Sequence, residues 1–170
     1  MAPAGRSPVY RTGHYGVSLL AYAPVGLAFV LAGRPTLAVA AGAGVLWLAT
    51  LPDVDHRLPG IPHRGPTHSL TFAVLVGGGL GGAALLGGRA LGVPDPTGLA
   101  VLAAAVGVFG VCAHLLGDVL TPAGVQLFWP VGPEFSLYVT NADSTAWNSG
   151  LLALGVGTTA AAALLAVRLG

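Results

Sequence analysis

Five apolar runs separated by polar breaks organise the chain. They cover residues 16–33, 36–51, 69–88, 98–120 and 148–168. Their lengths sit around the ~17–25 residues that cross a hydrocarbon core as a helix, the first two near the short limit. The breaks are unequal. A GRP turn at 33–35 and VPDPTG at 93–98 are short. The stretch 52–68 is polar and carries Pro52, Pro59, Pro62 and Pro66, which predict a shaped loop rather than a helix. Thr67 and Ser69 are suitable caps for the helix that follows. The connection 121–147 is longer and aromatic. Pro24 predicts a kink in the first helix, and the glycine and alanine of the third run suit close helix packing in lipid.

Counting spans gives the topology. The first run starts on the same side on which the second ends, the third starts and the fourth ends. His14, the 52–68 loop, His68, His114 and Asp118 therefore all fall at one membrane face, and nothing in the span boundaries forces that result. Arg6, Arg11, Arg57 and Arg64 lie on this side against Arg34, Arg89 and Arg168 on the other, an excess that favours a cytoplasmic site face.

Composition supports the membrane reading. Only 8% of residues are charged and mean hydropathy is +0.79; a soluble domain carries roughly 25% charged residues. At 170 residues a single membrane domain over 1–170 is expected. Basic residues before an apolar run also describe a signal peptide, but cleavage would discard His14, so a retained span is expected. A net charge of +1 without a basic run excludes a nucleic-acid partner. The one cysteine, Cys112, excludes an internal disulfide and is expected to pack in its apolar helix.

The ionisable residues that remain are concentrated. His114 and Asp118, at i and i+4, share a helix face, and His114 lies roughly 9 Å inside the run at 1.5 Å per residue. A charge at that depth costs ~2.5 kcal/mol or more and needs a partner. A divalent metal or a His–Asp hydrogen bond would each supply one. Asp53 and Asp55 are two carboxylates on what reads as a short extended segment, where alternate residues face the same way. His63 and His68 flank RGPT. Together with Asp55, His114 and Asp118 they form a mixed nitrogen and oxygen set suited to zinc, manganese or iron. His14 is placed to complete a second ion, and His56 is expected to point elsewhere. Arg64 is the nearest cation for a substrate phosphate, or else a rim arginine among lipid headgroups. Phe128, Trp129, Phe135, Tyr138 and Trp147 fit an interfacial aromatic belt, with a lid over the site as the other reading.

At these residues the chain resembles the YdjM-like family of membrane-bound, metal-dependent hydrolases. The matching pieces are His14, LPDVDH at 51–56, HRGPTHSL at 63–70 and HLLGDVLTPAGVQLFWP at 114–130. HLLGDVLTP is also similar to the His-x-x-x-Asp helix of zinc-dependent phospholipase C and P1-type nucleases. The resemblance implies that Asp55, His68, His114 and Asp118 bind one ion, with His14 and Asp118 serving a second. Those soluble enzymes place another histidine after the proline; here Ala123 and Gly124 follow Pro122 and no histidine follows His114, so one or two ions are expected.

The expected protein is an all-α membrane bundle with a metal centre that hydrolyses a phosphoester or acyl ester at the interface. The substrate would be a small molecule or a lipid, in a surround of membrane lipids. A bound metal brings the pKa of water toward ~7, and Asp53, if not a ligand, would take the proton. The alternative is a non-enzymatic metal-binding transporter or adaptor. A transporter should carry ionisable residues near the midplane or on both faces; the far face has only Arg34, Arg89, Asp95 and Arg168.

Overall fold

The computed structural model describes residues 9–169, so Arg6 lies outside the described residues. Five helices form: α1 (Val9–Leu31), α2 (Pro35–Leu48), α3 (Leu70–Ala90), α4 (Pro96–Val119) and α5 (Thr145–Leu169). All five segments are long and apolar enough to cross a membrane, α2 by running on to Arg57. Among the described residues no strand forms, only an isolated antiparallel bridge between Val125 and Phe135. The chain is an all-α multi-pass membrane protein.

Local chemistry sets the helix starts. Ser69 Oγ accepts the Phe72 N–H at 3.1 Å while donating to the Pro66 carbonyl, so Ser69 is the cap of α3. Thr67 is not; its hydroxyl donates to Asp55. Asp95 accepts from the Gly98 N–H at 2.7 Å ahead of α4. Pro35 and Pro96 occupy the first turns of α2 and α4, where the missing N–H costs nothing. Pro24 sits inside α1, which continues across it.

Two boundaries matter for the site. α1 begins well before residue 16, which places His14 inside the helix rather than ahead of it. α2 ends at Leu48 after 14 residues, about 21 Å at 1.5 Å per residue, short of a ~30 Å hydrocarbon core. The 3₁₀ turn that follows continues the span, which runs to Arg57. The polar segment is not irregular throughout: 3₁₀ turns form at Pro52–Arg57 and Pro66–His68, each with proline in its first turn.

α1, α2 and α4 pack against one another at the centre. α5 lies along α1 and α3 along α4. The flanking pairs approach closely through small residues. A Cβ at Gly107 would fall 2.7 Å from the Gly77 Cα, and one at Gly77 would fall 2.8 Å from the Ala104 carbonyl. Tyr22, Ala41 and Val45 form a core among the central helices, where the Tyr22 hydroxyl donates to the Ala38 carbonyl at 2.6 Å. A second core of Ala73, Val111, Leu115 and Val125 joins α3, α4 and the 121–147 connection, with Cys112 packed against it. The connection is tied back to the bundle: Leu70 N–H donates to the Leu127 carbonyl and Leu137 N–H to the Val119 carbonyl. Its aromatic side chains Phe128 and Tyr138 remain exposed, as does Trp147, which lies in the first turn of α5 because that helix starts at Thr145, as an interfacial belt requires.

The α3–α4 contact can be checked directly. Gly107→Ala is expected to lower stability by about 1–3 kcal/mol through forced separation of the helices. Gly78→Ala, where an added methyl meets nothing within 4 Å, is expected to be neutral. Unfolding titrations in mixed micelles compare the two.

Candidate metal centre

The bundle brings His14, Asp53, His68, His114 and Asp118 together at one end. Four atoms stand at the middle: Nε2 of His68, Nε2 of His114, Oδ2 of Asp118 and Oδ1 of Asp53. His114 Nε2 is 3.2 Å from His68 Nε2 and 3.1 Å from Asp118 Oδ2. His68 Nε2 is 3.5 Å from Asp118 Oδ2 and 3.6 Å from Asp53 Oδ1. Asp53 Oδ1 is 3.7 Å from His114 Nε2. Four ligands around an ion at zinc-like bond lengths of about 2.0–2.1 Å form a tetrahedron with edges of about 3.3 Å. The three distances among His68, His114 and Asp118 bracket that value, and these three residues form one group of potential ligand atoms. Asp53 approaches the two imidazoles from the side and groups with His114 and His14.

The rear contacts of the two imidazoles fix which nitrogen faces inward. His114 Nδ1 lies 2.7 Å from the Ala49 carbonyl, which can only accept, so Nδ1 carries the proton and Nε2 presents a lone pair. That carbonyl is free because α2 has just ended and its last carbonyls have no helical donor. His68 Nδ1 lies 3.1 Å from Asp55 Oδ2, which gives its Nε2 the same role. Asp118 Oδ2 is buried and accepts no hydrogen bond of good geometry. Lone pairs therefore converge with no proton between them, an arrangement that a cation satisfies. The residues present fit a divalent metal.

Asp53 and Asp55 do not face the same way, contrary to the extended-segment expectation. They sit in the 3₁₀ turn Pro52–Arg57, where three residues make a turn and positions two apart diverge. Asp53 thus reaches the quartet while Asp55 lies behind His68. Asp55 accepts from Thr67 Oγ at 3.0 Å and from the Arg64 N–H at 3.3 Å, and meets His63 Nδ1 at 3.2 Å. Of the implied set of Asp55, His68, His114 and Asp118, the last three turn potential ligand atoms toward one point. Asp55 meets the rear nitrogen of His68, and Asp53 Oδ1 is the carboxylate oxygen beside His68 Nε2 and His114 Nε2. His63 groups with Asp53, Asp55 and His56 in a separate cluster, so His56 does not point elsewhere.

His14 stacks on His114, with ring centroids 3.9 Å apart. Its Nε2 is 3.9 Å from Asp118 Oδ1, and its Nδ1 is buried without a hydrogen-bond partner. Gly117 permits the approach, since a Cβ there would lie 2.6 Å from that Nδ1. His14, Asp53 and His114 also bring potential ligand atoms within 4.8 Å of one another. A cavity of about 30 Å³ reaches His14, Asp118 and Arg64 past Thr121 and Asn148, enough for a water or two.

Arg64 is neither a free clamp nor a rim residue. Its guanidinium lies 2.9 Å from Asp118 Oδ1 and donates to Thr121 Oγ at 3.0 Å and to the Gly124 carbonyl at 2.6 Å. Its backbone is left-handed, φ 62°, a conformation held by these contacts at a cost of ~1–3 kcal/mol. It is a positioning residue for Asp118. The sequence reading did not single out Ala49, Gly117 or Thr121 for the site. A backbone carbonyl and a missing side chain leave no residue signature, whereas Thr121 follows Asp118 by three residues, within one turn of chain.

The family model for the YdjM inner membrane protein matches residues 11–169. The inner membrane protein YdjM of Escherichia coli (strain K12) is 39% identical over 102 residues, covering 51% of this chain and 47% of that protein. The Shigella flexneri protein of the same name gives the same figures. The chain thus spans about half the length of these curated relatives. No solved structure matches, and the likeness of HLLGDVLTP to P1-type nucleases is not shown by any of these comparisons.

Asp55→Asn is expected to weaken metal affinity by about 10–100-fold by releasing His68, whereas His114→Ala and Asp118→Ala are expected to abolish tight binding. Competition against a chromophoric chelator measures all three.

Proposed function

The chain belongs to the YdjM inner membrane protein family, and from that starting point we propose that it is a membrane-embedded, metal-dependent hydrolase of phosphoester or acyl ester bonds at the interface. The observation that carries the reading is the convergence of inward lone pairs from His68, His114 and Asp118, with Asp53 Oδ1 within 3.7 Å of both imidazoles. His68, His114, Asp118 and Asp53 would hold the ion, with zinc favoured and manganese or iron compatible. A divalent cation in such a site supplies Lewis acidity toward an ester or phosphoryl oxygen and makes water a stronger acid.

The chain's own residues do the rest. Asp53 is the exposed member, at 24% of its side chain, while His68 and His114 are fully buried, so substrate approaches on the Asp53 side. His14 borders the small cavity with a buried, unpartnered Nδ1. It is the group to take a proton from water held there, a role first expected of Asp53. Arg64 keeps Asp118 oriented. A headgroup ester suits a site at one end of the bundle.

One observation favours a second reading. All four corners are protein atoms and three of the four residues are buried, the pattern of a closed structural site. That would make the protein a non-enzymatic metal-binding membrane component.

Turnover of a chromogenic phosphoester and of phospholipid headgroup esters, with and without chelator, separates the two readings. Loss of turnover on chelation, restored by zinc or manganese, is expected for the enzyme. Loss of thermal stability alone marks the structural site, and turnover indifferent to chelator removes the hydrolytic mechanism. His14→Gln is expected to keep its metal and lose about 10²–10⁴-fold in kcat.

A further inference from the structure

A second cluster opens outward from the buried one. His56, His63, Asp53 and Asp55 bring potential ligand atoms within 4.8 Å of one another. His56 and His63 are exposed and their rings stack with centroids 4.0 Å apart. His63 Nδ1 lies 3.2 Å from both oxygens of Asp55, the carboxylate that also meets His68 Nδ1. One carboxylate therefore backs two imidazoles, one turned to the buried quartet and one to the surface. Asp53 also groups with His14 and His114, and its Oδ1 lies 3.6 Å from His68 Nε2.

This placement matters because the buried quartet is hard to reach. His68 and His114 have no exposed surface, and an ion arriving there must lose its water shell. Asp53 is the member of the quartet with appreciable exposure, so the ion passes the His56–His63 end of the loop on its way. Nitrogen and oxygen donors at that point replace water stepwise rather than at once. Exposed side chains that must be ordered to bind an ion hold it more weakly than pre-positioned ones, which suits transfer.

We propose that His56, His63 and Asp53, backed by Asp55, form a second, exchangeable divalent-cation site at the mouth of the buried centre, and that ions reach that centre through it. The destination rests on the metal-centre reading above; occupancy of the outer site does not. The ligand class is a borderline divalent cation such as zinc, cobalt or manganese.

The test uses the full chain in detergent micelles, purification tag removed and metal stripped, with Co²⁺ alone as probe. Equilibrium dialysis counts ions per chain, and stopped-flow absorbance follows loading. The unmodified protein is expected to bind two ions, the weaker one lost on brief exposure to chelator. His56→Ala/His63→Ala is expected to bind only the tight ion, loaded at least about tenfold more slowly. Both positions are exposed, and circular dichroism confirms that the variant is folded. Equal stoichiometry in the two proteins, or equal loading rates, overturns the proposal. A single tight ion in the unmodified protein overturns it while leaving the buried centre intact. No bound ion in either protein removes both.

Discussion

The structure depends on the carboxylate of Asp118 being held charged inside an apolar bundle. An ionised side chain at membrane depth costs ~2.5 kcal/mol or more, and removing one partner of a buried pair costs about 3–5 kcal/mol. Asp118 meets this with Arg64 on Oδ1, while Oδ2 faces the inward lone pairs of His114 and His68, where a cation would complete the balance. The Arg64 contact reaches across from the 52–68 loop, which also bonds Thr121 and Gly124 at the end of α4. One charge requirement thus draws loop, helix end and connection to a common point.

Helix ends supply the rest. A helix that stops early leaves carbonyls without donors, and Ala49 turns one of them to His114. The Pro52–Arg57 turn that follows aims Asp53 inward and Asp55 behind His68. Irregular backbone at membrane depth is tolerated only where protein covers it, and Ala49, Pro52, Asp55, Thr67 and His68 are all buried. The segment that breaks the helical rule is the one that builds the centre.

Much of this was legible from residue order. Span counting put His14, the aspartates, His68, His114 and Asp118 at one end, because up-and-down topology is settled by the number of crossings. Ser69 read as a cap because its hydroxyl acts locally. The choice between Asp53 and Asp55 was not legible, since it turns on whether two residues sit on extended backbone or a 3₁₀ turn. Arg64 read as an outward cation because its partners, Asp118 and Thr121, lie more than fifty residues away. The early start of α1 was hidden because Arg11, Thr12 and His14 read as polar, and His14 is covered only once α4 brings His114 against its ring.

The shortness of α2 reaches beyond the protein. Trp47, next to its last residue, is 75% exposed, and exposed tryptophans settle among lipid headgroups. Two residues on, Ala49 contacts His114, so the ring and the Trp47 side chain ride at similar height. A regular helix of only 14 residues is met by local thinning of the bilayer, by snorkelling flanks or by helix association. Where the bilayer thins to meet it, the glycerol linkages of the adjoining lipids come down toward the imidazoles.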